Sequence, residues 1–167
     1  MGAIKKVMNV LDRILLIIAL TMLASMTLII LYQVFSRQLL SYTPAWSEEL
    51  SRVLFVWVAF FGIAYGFKHK LHIGVGLLAE MLPEFIQTIF DILAKVTIII
   101  FGILMIYYGI NFTVLMMDST LPGLRLPSSV LYIVIPITGM YILLYGIELL
   151  FVKGLHQDYH DEQEGDE

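Results

Sequence analysis

The sequence predicts an all-α membrane protein: four transmembrane helices, an interfacial segment between spans 2 and 3, and both termini cytoplasmic. Three observations predict it. The 167 residues are 59% hydrophobic and 14% charged, with a mean hydropathy of +0.87, whereas soluble domains are about half apolar and a quarter charged. The charges are clustered, and several runs between them approach the roughly 20 helical residues that cross a hydrocarbon core of about 30 Å. Lys and Arg also divide unequally between the two sets of loops.

The first span is Ile14 to Phe35, 22 residues without a charge. The Lys5, Lys6 and Arg13 before it resemble the start of a signal peptide, but the apolar run exceeds the usual 7–15 residues and no A-x-A-like site follows. It reads as an uncleaved anchor. The second uncharged run, Val53 to Phe67, has only 15 residues, so the helix must extend back past Arg52 to cross. Spans of about 14–35, 48–67, 92–117 and 126–147 result, within a single transmembrane domain of residues 1–155. Leu71 to Leu82 is short, carries Gly74 and Gly76 and ends at Pro83, which predicts a broken interfacial or re-entrant stretch. Asp91 and Lys95, four apart, are placed to pair at the start of the third span. Pro136 is expected to kink the fourth or free a carbonyl there.

With four spans, seven of the ten basic residues (Lys5, Lys6, Arg13, Lys68, Lys70, Lys95, Lys153) share one side, against Arg37, Arg52 and Arg125 on the other. The excess of positive charge marks the cytoplasmic side. The formal net charge is −4, yet without the six acids of residues 158–167 eight acids remain against ten Lys and Arg. Residues 156–167 read as a solvated, disordered acidic tail, and nothing in this balance suggests nucleic-acid binding.

Chemistry is sparse. The absence of cysteine excludes disulfides, thiolate metal ligands and a Cys nucleophile. No histidine lies in a span, which argues against haem held between helices. The uncharged spans hold no Asp or Glu to couple a proton. Thr21, Ser25, Gln33 and Asn111 are expected to bond between helices. His72 reads as an interfacial anchor, and His156 and His160 as part of the tail. No catalytic or metal-binding set is expected, and no cofactor in this chain.

The informative stretch is Ser41 to Arg52. Thr43 and Pro44 suit a helix start, and Glu48 and Glu49 then lie in early turns, where the helix dipole favours acids. Arg52 is four residues from Glu48 and three from Glu49, so a carboxylate can shield it at the membrane edge. The same face continues through Phe55, Ala59, Gly62 and Gly66. Gly62 and Gly66 form a G-x-x-x-G, which lets another backbone approach closely. The bland reading is a local ion pair at a helix start; the sharper one is a contact face for a partner or a neighbouring helix.

Val34-Phe-Ser-Arg37, Trp46-Ser-Glu-Glu-Leu-Ser-Arg52, Phe55-Val-Trp57, Phe61-Gly62, His72-Ile73, Leu126-Pro127, Tyr132 and Ile135-Pro136 together resemble the small membrane (Q) subunit of tripartite ATP-independent periplasmic (TRAP) transporters. The resemblance implies a non-transporting scaffold in the bacterial inner membrane that binds a large elevator-type membrane subunit. It also implies a periplasmic binding protein delivering an organic acid, such as a C4-dicarboxylate or sialic acid, with Na+ bound in the large partner. Arg37, Trp46, Glu48, Glu49, Arg52 and His72 are then interface or positioning residues. Gly76 departs from the family, which often has an acid there. The acidic tail suggests a chain separate from the large subunit. The alternative is a self-sufficient four-helix carrier acting as a homo-oligomer. It is disfavoured because such carriers rely on a Glu in the first helix, where this run has none.

Overall fold

In the computed structural model, which describes residues 2–79 and 84–151, the uncharged runs are the middles of longer helices. α1 covers Gly2–Leu40, α2 Ala45–Ala79 and α3 Glu84–Leu115; a turn with two short strands, β1 (Thr120–Leu121) and β2 (Leu126–Pro127), leads to α4 (Ser129–Tyr132) and α5 (Val134–Phe151). Four stretches have the length and apolarity to cross a membrane: Met8–Leu40, Ala45–Phe67, Thr88–Leu115 and Ser129–Leu150. The predicted class holds. Helix continues beyond the apolar runs because a charged residue near a span end reaches the interface while its backbone stays hydrogen-bonded.

Three expectations need correction. α2 runs unbroken through Gly74 and Gly76 to Ala79, so those glycines do not break it; a glycine inside a helix costs only about 1 kcal/mol. The fourth span begins at Ser129, not Leu126, because Leu126 and Pro127 pair with Leu121 and Thr120 in an antiparallel ladder. Acids also lie within the spans: Asp12 and Asp91 are buried, and Glu148 has a buried carboxylate oxygen. All three sit near span ends. Pro136 does act as expected. It has no N–H to give the Tyr132 carbonyl, the helix is interrupted at Ile133, and the next bond, Ile137 N–H to Ile133 O, is stretched to 3.5 Å.

The chain folds around α5. In an apolar 18-residue stretch of the span it completes, 39% of positions are buried, against 6% in the corresponding stretch of α1. α3 lies closest to α5, and glycines explain how. A Cβ on Gly139 would stand 2.8 Å from Met105 Cβ, and one on Gly109 2.9 Å from Pro136; Gly102 and Gly146 meet Leu143 and Ile99 equally tightly. Each helix carries its two glycines seven residues apart, which keeps them on one face over two turns. At one end of the bundle Met8, Ala64, Ile98, Tyr141, Ile142, Tyr145 and Leu149 form the main core. There the Tyr141 hydroxyl donates to the buried carboxylate of Asp12, tying α1 to α5. A smaller cluster of Val53, Leu121 and Leu131 closes the opposite end.

Candidate interface of the second helix

The sequence singled out the start of α2, and its geometry begins with the turn before it. Ser41 ends α1 in the left-handed region at φ 52°, and Ser36 donates from its hydroxyl to the Tyr42 carbonyl at 2.8 Å, holding the turn closed. α2 starts one residue after Pro44, whose carbonyl accepts both the Ser47 amide (3.1 Å) and the Ser47 hydroxyl (2.7 Å). Ser47 is wholly buried. Trp46 stacks on Tyr32 of α1 at 6.0 Å between ring centroids, and Arg37 is exposed in the last turn of α1. Exposed aromatics at a span end suit the membrane–water boundary.

From there α2 presents two different faces. Inward lie Val53, Phe61 and Ala64, all buried, with Trp57 donating its indole N–H to the Val130 carbonyl at 2.9 Å. Glu49 belongs to this face: its carboxylate accepts the backbone N–H of Leu124 at 2.8 Å. Beside it, a Cβ on Gly123 would come within 2.7 Å of the Ala45 backbone. The 118–128 turn is thus seated on the first turns of α2. Arg125 completes that turn at φ 57°, its N–H bonded to the Leu121 carbonyl at 2.8 Å, and the Ser128 hydroxyl donates to that of Ser119 at 3.0 Å.

Outward lie Glu48, Arg52, Phe55, Ala59 and Gly62, all exposed, followed by half-buried Gly66. Arg52 Nη2 lies 3.4 Å from Glu48 Oε1 with both side chains more than half exposed. Such a pair contributes about 0–1 kcal/mol in water, so it is a weak stabiliser of the helix start. A Cβ on Gly62 or Gly66 would meet nothing within 4 Å, whereas Gly102, Gly109, Gly123, Gly139 and Gly146 are all filled by the chain's own atoms. Glu48, Arg52, Phe55, Ala59, Gly62 and Gly66 therefore form an unfilled strip, and Glu49 faces away from it. His72 lies on α2, with its side chain outside the described residues, as are residues 80–83 and the 156–167 tail.

Sequence reasoning missed the Leu124 partner of Glu49, since nothing links positions 75 apart. It also missed the α3–α5 glycine seam, although the seven-residue spacing was visible. Thr21 and Ser25 bond to carbonyls one turn back in α1 (both 2.8 Å) rather than across helices, and Asn111 is exposed. Asn111 borders an apolar groove of about 550 Å³ between α3 and α5, lined by Phe101, Met105, Tyr108, Phe112 and Ile135 and by no charged residue. That is not a lining for an ionic solute. Among the described residues no group of three or more His, Cys, Asp and Glu could hold a metal.

Known proteins resemble this chain. The chain is 36% identical over 93 residues to the C4-dicarboxylate TRAP transporter small permease protein DctQ of Rhodobacter capsulatus, covering 54% of this chain and 41% of that protein. A putative TRAP transporter small permease protein of Haemophilus influenzae is 28% identical over 135 residues, 81% of this chain and 82% of the relative. The sialic acid TRAP transporter permease protein SiaT of Haemophilus influenzae is 30% identical over 83 residues, half of this chain but 14% of that much longer protein. Residues 26–153 match the family of tripartite ATP-independent periplasmic transporters, DctQ component. With four apolar helices and this match, the chain belongs to the DctQ family, as a multi-pass inner-membrane subunit of a TRAP transporter and not an enzyme.

Proposed function

We propose that this chain is the scaffold of a TRAP transporter, gripping a larger membrane subunit through the outward strip of α2 without carrying solute itself. The supporting observation is the unfilled strip from Glu48 to Gly66 in a chain whose family is a transporter component. Lipid is a poor match for that strip. Glycines leave backbone exposed where a second helix gains close packing, and a charged pair within a span is costly unless protein or interface groups surround it. In this reading the large subunit binds substrate and Na+, and a periplasmic binding protein delivers the substrate.

The substrate is an organic acid. Relatives are named for C4-dicarboxylate and for sialic acid, two solutes that share a carboxylate and little else, which fits selectivity residing outside this subunit. The match of this chain to part of the far longer SiaT supports a role beside a larger permease segment. Both termini are cytoplasmic in this reading, as the Lys and Arg excess directs.

Co-purification with the large subunit in mild detergent tests the proposal. Gly62→Leu fills the strip and is expected to lower recovery of the partner several-fold, while Ile63→Leu, nearly constant in volume, leaves it unchanged. Equal recoveries count against the strip. Uptake of solute by liposomes holding only this chain overturns the scaffold role.

A further inference from the structure

Glu48 and Glu49 are neighbours in one motif, and the fold separates them. Successive residues of a helix are about 100° apart around its axis, so only one of the two can face the 118–128 turn. That one is Glu49, which accepts the Leu124 N–H at 2.8 Å. The contacts on either side agree: Gly123 has room for no Cβ against Ala45, Val53 packs with Leu121 and Leu131, and Trp57 bonds to Val130 O. Glu48 shares the opposite strip with Arg52, Phe55, Ala59 and Gly62.

We infer that Glu49 is a positioning residue: by latching the Leu124 amide it sets the rotation of α2 about its axis, so that Glu48, Arg52 and Gly62 face the partner subunit. The inference rests on the proposed use of that strip. The physical case is one of register. The upper part of α2 packs along α1, where Trp46 stacks on Tyr32, and is held at one end by a short turn and along one side by a small apolar cluster. A rotation by one residue, about 100°, would bring Glu48 to the turn and swing the strip away from the partner. A directional bond across 75 residues of chain opposes that rotation, whereas apolar contacts tolerate some sliding. Leaving the partly buried Leu124 N–H unpaired would carry a desolvation cost as well.

The test uses the full chain co-expressed with its large subunit and reads two quantities for each variant: hydrogen exchange at the Leu124 amide, and the amount of partner recovered. Glu49→Ala is expected to speed Leu124 exchange about tenfold, in line with the loss of one hydrogen bond, and to lower recovery several-fold. Glu49→Gln keeps a carbonyl oxygen as acceptor and is expected to stay close to the parent in both. Glu48→Ala is expected to leave Leu124 exchange unchanged and to weaken recovery by itself. Loss of partner with unchanged exchange makes Glu49 a direct contact and overturns the inference. Faster exchange with full recovery makes the latch dispensable and overturns it too. If Glu49→Ala does not fold, Glu49→Asp, one methylene too short, gives the same readouts. Gly62→Leu separates the two levels: recovery lost there but kept in Glu49→Ala sinks only the latch, and recovery kept in both sinks the strip.

Discussion

Tyr141 and Asp12 show what a single pair does in this protein. The hydroxyl donates to a carboxylate that is 8% exposed, and the two residues lie on the most peripheral and the most central helix. Removing the donor deletes a hydrogen bond to a buried charged group, which costs about 1.5–3 kcal/mol. Tyr141→Phe is therefore expected to lower the unfolding midpoint in detergent, and Asp12→Asn, which still accepts, to lower it less. A larger loss in Asp12→Asn would mean that the carboxylate's charge matters more than this bond. Trp57 makes a milder case. Trp57→Phe keeps a ring in the Val53 cluster but loses the bond to Val130, an expected cost of about 1 kcal/mol in the same assay. Neither pairing was legible in the sequence, because the partners are 129 and 73 residues apart.

At the scale of elements, the glycines sort α2 from α3 and α5. The α3–α5 seam has no room for a methyl at Gly109 or Gly139, where a Cβ meets atoms at 2.9 and 2.8 Å. Overpacking of that kind costs about 1–3 kcal/mol, so Gly139→Ala is expected to destabilise the isolated chain. Gly62→Ala meets nothing and, by trading glycine for a better helix former, is expected to leave the isolated chain unchanged or more stable by up to about 1 kcal/mol. Thermal unfolding of both variants in detergent checks the contrast, and equal destabilisation would show that the strip is already filled. The sequence singled out Gly62-x-x-x-Gly66 as a packing motif, yet the glycines that hold this chain together are the four spaced by sevens. The G-x-x-x-G spacing describes what a helix can do, and whether a neighbour arrives depends on how the other helices are placed.

For the whole molecule, four antiparallel crossings put the end of α1, the start of α2 and the 118–128 turn at one end of the bundle, and the Met8 core at the other. The chain lacks cysteine, so single-cysteine labelling reads orientation directly. An impermeant maleimide added to intact cells is expected to label Thr120→Cys and not Asn9→Cys; the reverse pattern would invert the proposed topology. Thr120 is exposed at the turn and Asn9 is exposed near the start of α1, and because Asn9 lies at the edge of the Met8–Leu40 span, Asn9→Cys is also expected to label once the cells are permeabilised. The shape also bears on carriage of solute. The groove between α3 and α5 is apolar, and the acids of the spans lie near their ends, which leaves the middle of the bundle without ion-binding groups among the described residues.

Hydropathy, charge clustering and the Trp46–Arg52 motif were enough to derive the four crossings and the family, because the bilayer penalises any unpaired backbone or charge so strongly that local composition dictates the element. Helix ends were less legible: Leu126 and Pro127 read as span but pair as strand, and α2 continues through Gly74 and Gly76. Which carboxylate of the Glu48–Glu49 pair turns inward, which glycines are filled and which helix lies at the centre depend on how helices far apart in the chain rotate and pack. Composition cannot encode those answers locally, since adjacent residues of equal chemistry differ only in the direction they point.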